Sequence, residues 1–373
     1  MVLHLKIFAG ARSMLNKKTV AVAMSGGVDS SVAAALLLQK GYKVIGITMR
    51  LWVDKQANIP AEQLAATETD AATVAKILGI EHYLLDFSDF FRKTVVQYFL
   101  NEYKAGRTPN PCVFCNKKVK FGAMYDRAKE LGADFLATGH YARIIEDAEG
   151  FKHLAMAANI AKDQSYVLYH LNQEQLNHVM FPLGDYDKVQ VRALAKEFNL
   201  PVFNKKDSQD ICFIPDNDYH RFLNAFSHEK IGNIINSKGQ ILGKHHGISH
   251  YTIGQRKGLG IAAATPLYVT EINADKNVIV LADAEESLHD AMIVTDAVFN
   301  DGISLKTKRN VKVKIRYNAK PVDASIEPST VEGQIKVTFK LPLRGIAPGQ
   351  AAVFYENDYC IGGGTILNSI KSS

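Results

Sequence analysis

The sequence predicts an α/β chain in three parts: a parallel β-sheet wrapped by helices, a small central α+β region, and a C-terminal antiparallel β-barrel. Three observations lead there. Up to about Cys212, short apolar runs alternate with helical stretches, the pattern of strands joined by helical crossovers. After Pro215 the texture changes to glycine-rich segments with short β runs. From Pro266 onward, short strands recur at even spacing with turn residues between them, which suits a small closed barrel. The expected divisions are an N-terminal extension at 1–16, then 17–213, 214–286 and 287–373.

With 373 residues the chain exceeds one comfortable core, and 47% hydrophobic with 22% charged residues is ordinary globular composition. No apolar segment approaches the ~20 residues of a membrane span, so no membrane partner is expected. The first eighteen residues carry Lys6, Arg12, Lys17 and Lys18 without an acid, either a weak imitation of a transit peptide or an extension ahead of a start at Met14. A cytoplasmic location is expected. Four cysteines, Cys112, Cys115, Cys212 and Cys360, are too few for a secreted disulfide framework and suggest chemistry in a reducing compartment. The net charge of +6 is modest, so its placement matters more than its size.

The first strand, 20–24, runs into Ser25-Gly26-Gly27-Val28-Asp29-Ser30-Ser31 and then an apolar helix. Two glycines let the backbone approach a ligand closely, while serine hydroxyls and the unpaired amides of the helix start face an anion. No Gly-Lys-Ser/Thr ends this loop and its glycines are adjacent, so it is neither the familiar P-loop nor the dinucleotide fingerprint. Its order resembles the pyrophosphatase-type loop of ATP-splitting adenylating enzymes; a plain glycine turn is the bland alternative. Further strands are expected at 44–49, 83–86 and 135–138, with helices at 70–78 and 120–131. Ligands of such sheets lie beyond the carboxyl ends of the strands, here the loop at Ser25, the Met49 end, and Thr138-Gly139-His140-Tyr141.

Gly106-Arg107-Thr108-Pro109-Asn110-Pro111-Cys112-Val113-Phe114-Cys115-Asn116-Lys117 interrupts the alternation. Its prolines place Cys112 and Cys115 on a loop or the first turn of the next helix, where Lys117, Lys118 and Lys120 favour a thiolate. Half of a zinc site is the other reading of Cys-x-x-Cys, but no second pair follows. A helix is expected at 184–198. Cys212 then stands in Asn204-Lys205-Lys206-Asp207-Ser208-Gln209-Asp210-Ile211-Cys212-Phe213-Ile214, either a reactive thiol among charges or a buried cysteine beside Ile211 and Phe213. A short helix follows at 218–226. The pair His245-His246 invites a metal reading, which is discounted because neighbours on a strand face opposite ways. Barrel strands are expected at 267–272, 278–281, 293–298, 311–317, 334–339, 351–355 and 359–366. Between Lys306 and Lys320 lie seven basic residues and no acid, with Val311, Val313 and Ile315 alternating with Lys312, Lys314 and Arg316. That is either a solvated edge or a uniformly positive face for a phosphate backbone.

Together these pieces resemble the bacterial tRNA-specific 2-thiouridylases, which place sulfur on carbon 2 of the wobble uridine. The resemblance runs through the Ser25 loop, Thr108-Pro109-Asn110-Pro111, Cys115-Asn116-Lys117, Thr138-Gly139-His140-Tyr141, Lys162-Asp163-Gln164-Ser165-Tyr166, Lys206-Asp207-Ser208, Ile211-Cys212-Phe213-Ile214, Tyr251-Thr252-Ile253-Gly254-Gln255-Arg256-Lys257-Gly258-Leu259-Gly260 and Pro348-Gly349-Gln350. The family commonly has aspartate where this chain has Cys112, so the nucleophile carries over to Cys115.

The resemblance implies an adenine-nucleotide alpha-hydrolase-like (PP-loop) first part. It implies ATP with Mg2+ held by Ala23, Met24, Ser25, Gly26, Gly27, Val28, Asp29, Ser30, Met49 and Gly139, with Asp29 a metal or loop-ordering carboxylate. It further implies catalysis by Cys115 and by a persulfide on Cys212, filled by a sulfur-donor protein of a cysteine desulfurase relay, and a Cys115–Cys212 disulfide after transfer. Contacts to tRNA fall on Asn110, Pro111, Cys112, His140, Lys162, Asp163, Gln164, Arg316, Tyr317 and Gln350, with the barrel on the anticodon arm. Direct persulfide attack and released hydrosulfide both stay open. Two rivals remain at this point: an adenylating ligase or amidotransferase acting on a small molecule, and a non-catalytic tRNA-binding protein.

Overall fold

The computed structural model describes residues 18–57, 61–205, 211–226 and 230–371, with 61–65 by backbone only. The extension at 1–16 and the motif Lys206-Asp207-Ser208 lie outside the described residues. The chain divides into two compact units: residues up to Arg92 with Cys115–Asp216, and Lys93–Phe114 with Asn217 onward.

In the first unit, β1 (Thr19–Ala23), β2 (Lys43–Arg50), β3 (Glu81–Asp86) and β4 (Phe135–Ala137) precede a hairpin of β5 (Ala142–Glu146) and β6 (Lys152–Met156), then β7 (Val179–Met180). The parallel sheet has the order β3-β2-β1-β4-β7. Val20, Ala21 and Val22 are fully buried, as expected of a central parallel strand covered on both faces. The helix α1 (Val28–Gln39) is buried almost all round, from Val32 to Leu37, and packs with Val74 of α2 (Ala61–Leu78) and Val191 of α3 (Lys188–Glu197). The chain winds outward through β1, β2 and β3, then returns to β4 on the other side of β1. The strand order therefore reverses between β1 and β4, where such sheets bind ligands.

Two helices differ from expectation. The segment expected at 184–198 starts only at Lys188, because Asp187 caps it: its carboxylate accepts from the Gln190 amide at 2.8 Å and the Gln190 side chain accepts from the Asp187 amide. The segment expected at 120–131 is π-helical over Asn116–Met124 and α-helical only over Tyr125–Glu130. Widened helices of this kind are frequent at functional sites.

In the second unit, the helix Gln97–Lys104 packs Phe99 on Phe222 of α4 (Tyr219–Phe226), with ring centroids 6.0 Å apart. A small sheet follows, built of β8 (Gly232–Asn236), β9 (Ile241–His245), β10 (Tyr268–Asn273) and β11 (Val278–Ala282) in the order β10-β11-β8-β9. His245 is fully buried and its Nδ1 accepts from the Gly247 amide, whereas His246 is exposed, so the pair does serve two faces.

The barrel comprises β12 (His289–Phe299), β13 (Arg309–Lys314), β14 (Val322–Pro328), β15 (Ile335–Leu343), β16 (Ala351–Glu356) and β17 (Tyr359–Ile370). It is antiparallel in the order β12-β15-β14-β13-β16-β17 and closes through β12 on β17. The sequence reading overlooked β14, whose apolar residues are diluted by Asp323, Ser325 and Glu327 and whose last residue is a proline.

Candidate functional site

The backbone of β1 continues one residue past the strand, with the Met24 amide donating to Ile47 O at 2.8 Å, and then turns through Gly26 at φ +63°. A Cβ on Gly26 would lie 2.5 Å from Thr67 O of α2, so both the conformation and the close approach demand glycine. The turn holds itself: Ser30 Oγ accepts from the Ser25 amide at 3.1 Å, and Ser31 Oγ donates to Gly27 O at 2.8 Å. Gly27 is the N-cap of α1 without a side-chain cap, so the first amides of the helix face the open end of the sheet.

The other strand ends arrive as the fold class requires. Gly139, just past β4, lies so close to α1 that a Cβ there would meet the Asp29 carbonyl carbon and the Ser30 amide nitrogen, both at 2.8 Å. Met49 lies half-buried at the end of β2. The Met24 side chain is 2% exposed and an added Gly46 Cβ would touch its sulfur, so Met24 can reach a nucleotide only through its backbone.

Asp29 is the charged centre of this turn. Its Oδ1 accepts from Tyr141 Oη at 2.8 Å, and Lys188 Nζ donates to both oxygens at 2.9 Å. Lys205 braces the loop from the far side, its ammonium donating to Gly26 O at 3.0 Å and to Asp70 Oδ2 at 2.6 Å. Tyr141 is itself clamped by Gln164, whose side chain accepts from the Tyr141 amide at 2.9 Å and whose amide donates to Tyr141 O at 2.8 Å. Asp163, 5% exposed, takes the amides of Ala157 and Ser165 and the Ser165 hydroxyl. Within the Lys162-Asp163-Gln164 motif, then, Asp163 and Gln164 order the loop, and Lys162 is the exposed member.

Among the described residues no group of three or more His, Cys, Asp and Glu could hold a metal by itself. A Mg2+ ion bound together with phosphates would draw on Asp29, a carboxylate 32% exposed, with the exposed Ser25 in the same turn.

Cys115 ends the short helix Pro111–Cys115, is buried, and leads directly into the π-helical stretch. Cys212 is exposed on a turn closed by the Ile214 amide on Ile211 O. Phe213 fixes that turn: its carbonyl accepts from the Asp54 amide at 3.1 Å and its ring meets Phe91 edge-on at 5.7 Å. Both cysteines belong to the same compact unit.

The first unit also holds a buried polar cluster, of which the sequence reading singled out His140 but not His170. Phe121 has His140 at 6.0 Å and His170 at 6.2 Å between ring centroids. Burial is the main cause that drives the His170 pKa down to about 3, helped by Lys117, and it holds His140 well below the ordinary histidine value. His140 Nδ1 lies 2.7 Å from Thr138 Oγ1, and Asn116 Oδ1 is buried without a hydrogen-bond partner among the described residues.

In the second unit, Asn110 starts the cysteine-bearing helix, its side chain accepting from the Val113 amide at 3.1 Å, with Pro111 following at the first helical position. Cys112 is exposed. Gln350 Nε2 donates to Thr108 O at 3.0 Å and Pro109 O at 3.1 Å, while Pro348 O accepts from the Thr108 amide at 2.8 Å. Arg316 donates to Ile253 O at 2.7 Å and Gly345 O at 2.8 Å, and Tyr317 is exposed next to it.

The expected uniformly positive strand face needs correction. Lys312 is exposed, but Lys314 is only 8% exposed, with its ammonium over the Tyr317 ring, and Arg309 is paired with Glu356. Strand geometry gives way to turn geometry after Lys314, so the alternation no longer sorts the charges.

Lys188 is the main residue that motif reading missed. One signal was available: a lysine at the first position of a capped helix opposes the helix dipole and calls for an anion elsewhere.

Three family models match the chain: the tRNA methyl transferase HUP domain over residues 18–216, the tRNA methyl transferase PRC-barrel domain over 220–283, and the aminomethyltransferase beta-barrel domain over 289–366. The tRNA-specific 2-thiouridylase of Acetivibrio thermocellus is 48% identical over 360 residues, covering 94% of this chain and 100% of the relative. That of Carboxydothermus hydrogenoformans is 46% identical over 360 residues, covering 95% and 98%. Among solved structures, a 4-thiouridine synthetase in complex with RNA and ATP is 18% identical with a TM-score of 0.36, covering 56% of this chain and 50% of that one.

Proposed function

Because the chain belongs to the family of the tRNA-specific 2-thiouridylases, we propose that it is a tRNA sulfurtransferase that replaces the C2 oxygen of the wobble uridine with sulfur, with ATP as co-substrate. The observation that carries the reading is the convergence, where the strand order reverses, of the serine–glycine loop, the Gly139 end of β4 and the Asp29–Tyr141–Lys188 group. The description of the matching HUP-domain family mentions methyl transfer. A pyrophosphatase-type loop and the two cysteines Cys115 and Cys212 have work in thiolation and none in methylation.

A uridine carbonyl is urea-like, and its oxygen does not leave as oxide. Attack of that oxygen on the α-phosphorus of ATP expels pyrophosphate and leaves AMP on the base, now a good leaving group. The amides at the start of α1 and the hydroxyls of Ser25 and Ser30 stabilise charge on the departing phosphates. Asp29 would hold a magnesium ion bound with the nucleotide, which would offset part of that charge. The terminal sulfur of a Cys212 persulfide then attacks carbon 2 and AMP departs. Attack by the Cys115 thiolate on the Cys212 sulfur breaks the S–S bond to the transferred atom and leaves a Cys115–Cys212 disulfide, which an external thiol reduces. An exposed Cys212 suits loading by a persulfide-carrying protein, and a buried Cys115 suits protection from other oxidants.

A wobble base reaches such a site only when turned out of its stack. Asn110, Pro111 and Cys112 would border the flipped base. Lys162 and His140 in the first unit, and Arg316, Tyr317 and Gln350 in the second, would bear on the tRNA, with Asp163 and Gln164 positioning Lys162. The division of labour follows the expected domains: 17–213 for chemistry, 214–286 and 287–373 for holding the tRNA. No helix among the described residues is long and apolar enough to cross a membrane.

The test is product analysis with labelled ATP and unmodified tRNA. The reading predicts AMP and pyrophosphate in equal amounts, formed only with tRNA present and abolished by Asp29→Ala. Release of ADP and phosphate, or tRNA-independent AMP, would refute it.

A further inference from the structure

We infer that Lys188 is the phosphate-binding cation that the glycine loop does not itself supply: it pairs with Asp29 in the free protein and gives its ammonium to the triphosphate of a seated nucleotide. The inference rests on the reading of the loop at 25–30 as a nucleotide cradle.

The loop and α1 contain no lysine or arginine from Ser25 to Gln39. A triphosphate brings several negative charges, against which the helix start offers about half a positive charge. Asp29, in the first turn of α1, adds a negative charge at the same place. A cation from elsewhere in the fold is needed, and the structure brings one 159 positions along the chain. The capping box of Asp187 and Gln190 fixes the start of α3, and from its first residue the Lys188 ammonium reaches both oxygens of Asp29 at 2.9 Å.

A purely structural pair would also explain this contact, yet two features favour a ligand role. Lys188 stands at a helix N-terminus, where its charge opposes the dipole, so α3 gains nothing from it. Asp29 keeps a second donor, Tyr141 Oη at 2.8 Å, and so stays anchored when the ammonium swings away on its four-carbon stem. Lys205 differs, since one of its bonds goes to the Gly26 carbonyl and props the loop itself.

The experiment is calorimetric binding of adenosine, AMP, ADP and a non-hydrolysable ATP analogue to the intact protein, with divalent metal chelated. Lys188→Gln is expected to weaken the ATP analogue roughly ten- to hundredfold, the worth of one charge-assisted hydrogen bond, while adenosine binds as to the wild type. Lys188→Arg should restore most of the affinity. Equal analogue affinity in Lys188→Gln and wild type, or an equal loss for adenosine and the analogue, would overturn the assignment.

Should Lys188→Gln fail to fold, Asp29→Asn leaves the ammonium unopposed and is expected to bind the metal-free analogue more tightly than wild type. Adding Lys188→Met to it should remove that gain, and no difference between the single and double variants would overturn the assignment. Wild-type protein that binds the analogue no better than adenosine would instead refute the cradle reading itself.

Discussion

Gly139→Ala probes the close approach of β4 to α1 with a single methyl group. The new Cβ would stand 2.8 Å from two backbone atoms, the Asp29 carbonyl carbon and the Ser30 amide nitrogen, and 3.0 Å from Asp29 Cβ. Ordinary contact begins at 3.4 Å, and backbone cannot rotate aside as a side chain can. The two segments must therefore part by about 0.6 Å at the point where the amides of the cradle are set. Gly139 does not have a positive φ, so the cost is steric rather than conformational. Overpacking of this size costs about 1–3 kcal/mol, or roughly 2–12 °C of melting temperature for a cooperative unit of about 150–250 residues, the size range of the first unit. Because the displaced atoms are those proposed to face the phosphates, ATP affinity should fall at least about tenfold, more than the stability loss alone explains. Thermal melting by circular dichroism and calorimetric titration with an ATP analogue give both quantities. A variant that melts within a degree of wild type and binds the analogue equally would refute the argument.

The thiols give a simpler contrast: Cys115→Ser and Cys212→Ser should each abolish thiolation, while Cys112→Ser should largely spare it, measured as thiolated nucleoside per tRNA. Full thiolation by Cys212→Ser would end the persulfide scheme. His170 makes the fold acid-sensitive. Its folded pKa of about 3 lies below the ordinary 6.5, so between those values the unfolded chain binds a proton that the folded chain refuses. Stability is full above 6.5 and falls as pH drops through that window, by up to about 1.4 kcal/mol per pH unit. His170→Phe should flatten that acid limb in denaturant melts at stepped pH, and an unchanged slope would show that other groups set it. Arg316→Ala should weaken tRNA binding and lower its salt-dependence slope by about one, and, because two carbonyls lose their donor, also lower the melting temperature. An unchanged slope would leave Arg316 only its bracing role.

Much of the first unit was legible because its signals are local. Val20, Ala21 and Val22 followed by Ser25-Gly26-Gly27 announce a buried strand and a tight turn, and both are present. The partners of Asp29 were not legible: Lys188 lies far along the chain, and only the winding of the sheet brings it back. Asp163 and Gln164 entered as tRNA contacts through the family resemblance, and because polar residues in a loop carry no mark of burial, the sequence did not show that their hydrogen bonds turn inward onto Ser165 and Tyr141. His170 and Asn116 are buried polar groups, which periodicity reads as exposed. In the barrel, alternation located β13 but not its charges: Lys314, the last residue of the strand, is buried with its ammonium over Tyr317, and Arg316 lies past the strand end.

The most direct measurement is nucleoside mass spectrometry of an unmodified tRNA with uridine at the wobble position, after incubation with the purified chain, ATP, magnesium and a persulfide donor. The account predicts 2-thiouridine at that position, dependent on both ATP and persulfide and absent with Cys212→Ser. Uridine left unchanged in the complete reaction, or thiolation that proceeds without ATP, would contradict it.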